Sequence, residues 1–90
     1  MLEKSYPYYL ANRPVAANTD LEVLDKYTGK SATRVALADA ATVREAILRA
    51  DGARAAMAAF PPDARRDVLE HCVLRFSERQ AELALALCIE

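Results

Sequence analysis

Glycine is nearly absent from this sequence, because only Gly29 and Gly52 occur among its 90 residues. A loop that cradles a phosphate or a dinucleotide usually holds several glycines, which let backbone N–H groups approach the ligand closely. Two isolated glycines cannot form such a loop. The residues of this chain therefore do not predict a nucleotide-binding loop.

Histidine and cysteine are also scarce: the chain has one histidine, His71, and two cysteines, Cys72 and Cys88. A zinc site needs about four ligands, and the two cysteines lack CxxC spacing, so no metal site is predicted from these residues. The pair His71 and Cys72 suggests a nucleophile beside its base. Successive helix positions point about 100° apart, however. We therefore interpret Cys72, like Cys88, as a small, buried and reduced core residue.

No excess charge and no long apolar run are present. Twelve basic and 13 acidic residues are interleaved and give a net charge of −1, which argues against a nucleic-acid or acidic-membrane surface. No apolar run approaches the length of about 20 residues that a membrane span needs. The first seven residues lack the apolar core of a signal peptide, so a cytoplasmic location is expected. We expect neither a nucleic acid nor a membrane as partner.

The first part of the chain, about residues 8–37, has the pattern of short strands. Tyr8–Leu10 and residues 14–16 predict a hairpin around residues 11–13, where Asn12 favours a bend. Further strands are predicted at Leu21–Leu24 and at residues 32–37. Between them lies a polar turn, in which Asp25 can bond to its own backbone and Gly29 can adopt a positive φ.

From Asp39 onward, the apolar period changes to that of helices. Helices are predicted at about residues 40–59, 63–78 and 80–90, the first with Asp39 as its N-cap and the second after a proline pair. We expect Gly52 to mark close packing against a neighbour. The last helix is apolar nearly all round and has no cap, so we expect it to be buried in a longer protein. Strands followed by helices indicate an α+β fold.

Two other clusters leave more than one interpretation open. The run Arg65-Arg66-Asp67 can bind a carboxylate or phosphate of a partner, or it can form a solvated face in which Arg66 pairs with Glu70. The tyrosines Tyr6, Tyr8 and Tyr9 can anchor an interface or simply cover the hairpin. Those tyrosine residues crowd near the start of the chain.

The turn at residues 24–30 is the first of several motifs that occur in a specific order. Its sequence, Leu-Asp-Lys-Tyr-Thr-Gly-Lys, is similar to an Asn-Pro-x-Thr-Gly-Glu turn. Asp25 stands in place of the asparagine, Lys26 in place of the proline and Lys30 in place of the glutamate. The predicted helix at residues 40–59 follows, with a Val-x-x-Ala-Ile-like core.

The later motifs complete the pattern. Phe60 and the proline pair precede Arg65 and Leu69, and residues 77–84 read Ser-Glu-Arg-Gln-Ala-Glu-Leu-Ala. Residues 87–90 are similar to the lead-in to a Glu-x-Gly-Lys-Pro motif. Over roughly residues 8–90, the chain resembles the N-terminal segment of the NAD(P)-dependent aldehyde dehydrogenase superfamily.

The resemblance implies a parent protein with a Rossmann-like α/β fold. Residues 1–90 would be an N-terminal fragment of its cofactor-binding domain, and the catalytic domain would be absent from this sequence. The family implies a cytoplasmic oxidoreductase, usually a dimer or tetramer. Such an enzyme oxidises an aldehyde to an acid through a cysteine thiohemiacetal, with hydride transfer to NAD or NADP.

The resemblance assigns few residues of this chain. The family's catalytic cysteine, general-base glutamate, oxyanion asparagine and cofactor loop would all lie beyond Glu90, so no catalytic or cofactor-binding residue is assigned. In some members, a backbone carbonyl just before the Asn-Pro turn binds a structural monovalent cation. The matching position here is Leu24, which is the only metal contact predicted.

These expectations define two hypotheses of different classes. In the first, the chain is the structural N-terminal part of an aldehyde dehydrogenase; it is inactive and binds no cofactor alone, and its partner is the remainder of the parent chain. In the second, it is a stand-alone α+β interaction module. Its apolar last helix would then provide a docking groove or dimer surface.

Overall fold

The structure, a computed structural model, describes residues 2–90. Within that range, five short strands precede three helices, so the predicted α+β order is confirmed. In chain order these elements are β1 (Ser5–Tyr6), β2 (Tyr8–Leu10), β3 (Arg13–Val15), β4 (Leu21–Leu24), β5 (Ser31–Val35), α1 (Ala40–Ala58), α2 (Pro62–Glu78) and α3 (Gln80–Ile89).

Three of the strands form a mixed sheet in the order β1-β5-β4. Strand β4 is antiparallel to β5, with an irregularity between Val23 and Leu24, whereas β1 is parallel to β5. The sequence did not predict β1. Its two residues carry no recognisable pattern, and its register, with Ser5 opposite Arg34, depends on a distant strand.

The other two strands form the predicted hairpin with a tighter turn than expected. Tyr8 lies opposite Val15 and Leu10 opposite Arg13, so β3 begins at Arg13 and not at residue 14. The two turn residues, Ala11 and Asn12, have φ angles of 48° and 64°. Positive φ at both central positions is typical of a type I′ turn, whose twist matches that of the paired strands.

The three predicted helices are present, and local signals explain the start of α1 and the break between α1 and α2. At the start of α1, the backbone N–H and the hydroxyl of Thr42 both donate to Asp39 Oδ1 at 2.7 Å. The side-chain hydrogen bond from Thr42 and then its backbone N–H lower the pKa of Asp39. Pro61 and Pro62 separate α1 from α2, because proline fits only the first turn of a helix.

The described residues contain almost no core. Only Thr33 and Ala36, with 7% and 4% of their surface exposed, are buried in that part of the chain. The radius of gyration is 16.7 Å, compared with roughly 12 Å for a compact domain of this length. The principal extents of 47 × 36 × 16 Å describe a flat arrangement.

This exposure corrects two expectations from the sequence. Cys72 and Cys88 are free thiols, as expected, but both are exposed and not buried. A Cβ placed on Gly52 would meet nothing within 4 Å, so this glycine does not mark close packing among the described residues. Within residues 2–90, no residue of α1, α2 or α3 is buried, so the predicted apolar helix faces stay a prediction.

Candidate functional site

No catalytic constellation is assembled in the described part of the chain. His71 and Cys72 lie side by side on α2 and are both exposed. No group of three or more His, Cys, Asp or Glu side chains within residues 2–90 is placed to hold a metal ion. Each helix in that range is too short or too polar to cross a membrane. The notable features are instead two junctions and one apolar groove.

The first junction joins α1 to α2 through Arg65. Its Nε donates to the carbonyl oxygen of Phe60 at 3.0 Å, and its Nη2 donates to that of Met57. The last carbonyls of a helix have no intrahelical partners, and a cation there also complements the helix dipole. Arg65 therefore caps α1 from the first turn of α2. This intramolecular role replaces the partner-binding role considered for it.

The neighbouring arginine behaves as the solvated-face interpretation predicts. Arg66 lies 3.8 Å from Glu70 and 3.7 Å from Asp67, and its side chain is 68% exposed. Ion pairs as exposed as these contribute little to stability. The two adjacent arginines thus differ: one is engaged with backbone carbonyls, and the other pairs with side chains at the surface.

An ion pair also lies at the boundary between α2 and α3, where only Arg79 separates the two helices. Arg79 forms a two-pronged contact with Glu82, with Nε–Oε2 at 2.9 Å and Nη2–Oε1 at 2.5 Å. The hydrogen bond from Arg79 lowers the pKa of Glu82, and the same bond raises the pKa of Arg79. Both side chains are about half exposed, so this pair orients the start of α3 more than it stabilises the fold.

The tyrosine cluster divides into different environments. The hydroxyl of Tyr6 accepts a hydrogen bond from the Glu3 N–H at 2.9 Å, and its ring is half-buried. Tyr8 and Tyr9 line a cavity between the hairpin and α1, although 70% of Tyr9 is exposed. Tyr6 and Tyr8 therefore cover parts of the fold, while Tyr9 remains available to a neighbour.

The second junction begins with the turn that follows β4. The N–H groups of Tyr27 and Thr28 donate to Asp25 Oδ1 at 2.8 and 3.1 Å. The Gly29 N–H donates to the Asp25 carbonyl at 2.8 Å, and Gly29 has a φ of +67°. The side chain of Asp25 and the glycine thus shape the turn as predicted.

This turn contacts the end of α3, which the sequence did not predict. The Lys26 N–H donates to the Ile89 carbonyl at 3.1 Å, and the Lys26 ammonium donates to the Leu87 carbonyl at 3.3 Å. The two partners are about 60 residues apart in the sequence, so no local pattern could reveal the contact. Leu24 lies two residues before Lys26, and its contact with a monovalent cation stays a prediction.

An apolar groove lies between α2 and α3 and has a volume of about 810 Å³. Phe76 and Leu87 are 66% and 71% exposed in it, and Glu90 is its only charged lining residue. This composition suits packing against another apolar surface more than chemistry on a substrate. The groove is lined by Phe76, Ser77, Gln80, Leu83, Ala84, Ala86, Leu87 and Glu90.

Comparison with known proteins gives one family. The model described as "Aldehyde dehydrogenase family" matches residues 14–90. No curated protein matches the chain. The matched region runs from β3 to the end of α3 and includes the Lys26 turn, the Arg65 junction and the apolar groove.

Proposed function

This chain belongs to the aldehyde dehydrogenase family, and we propose that it is the N-terminal structural part of an enzyme that oxidises an aldehyde to a carboxylic acid with NAD or NADP. In that reaction, the aldehyde carbon loses a hydride to the nicotinamide, and water supplies the second oxygen of the acid. The observation that carries the proposal is the family match over residues 14–90, which takes in strands and helices alike.

The uncovered helix faces support a structural role within a larger protein. None of α1, α2 and α3 contains a buried residue, although burying one leucine or phenylalanine side chain contributes about 1.5–3 kcal/mol. Stable domains pack at least two layers of secondary structure around a core. In the proposed enzyme, these helices cover one side of a Rossmann-like sheet at the edge of the cofactor-binding domain.

The chemistry of the proposed enzyme is not assigned to any residue of this chain. The segment contributes packing surface, and the remainder of the enzyme contributes the nucleophile and the cofactor site. The family resemblance further leads us to propose a cytoplasmic enzyme that works as a dimer or tetramer. The choice between NAD and NADP as hydride acceptor is decided by the same experiment that tests for activity.

The direct test compares the product of the whole gene with residues 1–90 expressed alone. Each is mixed with a panel of aldehydes and with NAD or NADP, and formation of NADH or NADPH is followed by absorbance. We expect reduction of the cofactor by the whole product and none by residues 1–90. A whole product without activity on any aldehyde, or reduction at enzymatic rates by residues 1–90, would contradict the proposal.

The open α2–α3 groove is the observation that favours the alternative, a stand-alone interaction module. The sequence of the gene beyond the Glu90 codon separates the two hypotheses. A continuation with a Gly-Lys-Pro motif, a glycine-rich loop and a distant cysteine supports the enzyme. A stop codon at that point would instead favour the module, whose groove should then bind an apolar-surface dye or a second copy.

A further inference from the structure

A polar cavity with a volume of about 420 Å³ lies between the hairpin and α1, next to the cavity that Tyr8 and Tyr9 line. Its volume falls within the range of about 300–1,000 Å³ that is usual for small-molecule sites. Such sites combine apolar walls with a few polar groups that orient the ligand. This cavity has both, since the hairpin contributes Leu10, Ala11, Arg13 and Val15, and α1 contributes Glu45 and Arg49.

On the α1 side of the cavity, Arg49 already contacts a carboxylate. Its Nη2 donates to Oε1 of Glu45, one helical turn earlier, at 3.3 Å. This single long contact leaves most of the guanidinium donors free, although a guanidinium can hold a carboxylate with two parallel hydrogen bonds. The side chains of Arg49 and Glu45 are 64% and 52% exposed. Ion pairs as exposed as this one are weak, so a second carboxylate can compete for Arg49.

On the hairpin side of the cavity, Arg13 has a fixed backbone and a free guanidinium. Its backbone is fixed because Arg13 pairs with Leu10 directly after the turn with two positive φ angles. The guanidinium hydrogen bonds and ion pairs within residues 2–90 all involve other arginines. A charged group on an ordered turn loses less freedom on binding than one on a mobile loop.

The charges around the cavity favour one kind of anion. Two arginines and one glutamate give the lining a net charge of +1. One carboxylate neutralises that charge, whereas a phosphate monoester carries about −1.5 to −2 and exceeds it. The planar fork of a guanidinium also matches the two oxygens of a carboxylate. Beside these charges, the half-buried Leu10 and Val15 offer an apolar wall to a hydrocarbon chain.

We propose that this cavity binds a small aliphatic carboxylate, which Arg13 and Arg49 hold while its hydrocarbon part lies against the apolar wall. Glu45 is then the internal competitor of the ligand, since it occupies Arg49 when the cavity is empty. This proposal does not depend on the proposed oxidation of aldehydes. The experiment that tests it uses neither an aldehyde nor a nicotinamide cofactor, so the two proposals can fail separately.

Hydrogen exchange in the product of the whole gene tests the cavity locally. The amides of residues 8–15 and 43–52 are followed in sodium butanoate, in butanamide with NaCl, and in sodium phosphate, at equal pH and ionic strength. We expect butanoate to slow exchange in these two segments by about two-fold or more at saturation, with a smaller effect of phosphate and none of butanamide. Reading exchange at these segments keeps the measurement on the cavity even if butanoate also binds elsewhere.

Variants with opposite expected effects assign the binding to these side chains. The dissociation constant for butanoate is taken from the concentration dependence of the slowing. Arg13→Met should weaken binding by roughly five- to ten-fold, because one charged donor pair is lost. Glu45→Gln should tighten binding by roughly two- to five-fold, because the competing carboxylate of Arg49 is removed. Arg44→Met removes an exposed charge from the same helix, outside the cavity, and should change nothing.

Four results would overturn the proposal. Absence of slowing by butanoate in the unchanged protein would mean that the cavity takes no carboxylate, and equal slowing by butanamide would mean that it does not recognise the charge. A larger effect of phosphate than of butanoate would identify a site for a different anion. Unchanged affinity in both Arg13→Met and Glu45→Gln would place the binding elsewhere. If Arg13→Met does not fold, the tighter binding expected of Glu45→Gln still decides the question.

Discussion

The strand region, up to about residue 37, and the helical region after it differ in what holds them in place. The strand region contains both buried residues of the described chain, Thr33 and Ala36. The Thr33 hydroxyl donates to the Glu3 carbonyl at 2.8 Å, and the Asn18 amide exchanges two hydrogen bonds with the backbone of Leu37 at 2.8 and 2.9 Å. The first helix has a side-chain N-cap, but none of the three helices has a buried residue.

The contrast separates local order from tertiary stability. A cap, a proline pair and ion pairs three or four residues apart are enough to specify helices. Most helical stability in proteins, however, comes from packing of an apolar face. The strand region has its partners within the chain, whereas the helical region offers faces that need a further surface. Substitutions in each region test this difference.

Leu87→Ala tests whether the groove between α2 and α3 is covered in the product of the whole gene. If it is, the substitution should lower the free energy of unfolding by about 2–5 kcal/mol, the usual cost of truncating a buried leucine. In residues 1–90 alone, the same change should cost less than about 0.5 kcal/mol. Urea denaturation measures both, and Arg54→Ala, at an 84% exposed side chain, is the control.

Equal small losses in both proteins would show that the groove stays open. The helical region would then resemble an interaction surface more than a covered layer. That result would also remove the packing argument from the proposed function, although it would leave the family membership unchanged.

Arg65→Met tests the cap that joins the first two helices. The side chain keeps most of its length but loses its donors to the carbonyls of Met57 and Phe60, so we expect a loss of about 1–2 kcal/mol. Arg66→Met is the matched control, since it breaks only exposed ion pairs and should cost about 0–0.5 kcal/mol. Equal effects of the two substitutions in urea denaturation would show that Arg65 is not a cap.

Ala11→Gly tests the turn of the hairpin in the strand region. Ala11 has a φ of 48°, which is unfavourable for alanine but not for glycine. We expect a gain of about 0.5–1 kcal/mol in thermal denaturation. Ala17→Gly is the control, because Ala17 lacks a positive φ and should lose stability; a loss for Ala11→Gly would contradict the type I′ turn.

Asp39→Asn tests the acid sensitivity of the α1 cap. The folded pKa of Asp39 lies below its ordinary value of 3.8, so its stabilisation is complete above that value and is lost as the pH falls through the lower folded pKa. Circular dichroism of a peptide of residues 36–60 should show helix content falling in that range. Asp39→Asn should reduce this fall, because asparagine caps without titrating.

Asp51→Asn provides the control for that peptide. Its carboxylate only approaches Arg54 at 3.9 Å and is 70% exposed, so the acid transition should remain. If both substitutions change the transition equally, the cap is not its cause.

The helices could be predicted because their signals are local. Asp39, the proline pair and the apolar period all act within a few residues of the element they define. The turn at residues 25–30 was predictable for the same reason, since Asp25 bonds to its immediate neighbours. The short strand β1 could not be predicted, because two residues have no period and its pairing depends on β5.

Contacts in the candidate site also depend on residues far apart in the sequence or on backbone geometry, which local signals do not reveal. The sequence pointed to the turn and to Arg65 as parts of recognisable motifs, but it assigned neither of them a contact. Lys26 meets α3 only when distant parts of the chain come together, and Arg65 reaches the carbonyls of Met57 and Phe60 across the proline pair. Charge and spacing alone could not distinguish Arg65 from Arg66.

Sequence alone was enough to predict the order of β2 to β5 and of the three helices, the N-cap of α1, the turn at residues 25–30 and the family. These depend on intrinsic backbone preferences and on hydrogen bonds between near neighbours. The folded structure was needed to reveal the parallel pairing of β1 with β5, the contact of Lys26 with α3, and the exposure of the apolar side chains. Those features depend on distances between residues far apart in the chain, which only the folded backbone fixes.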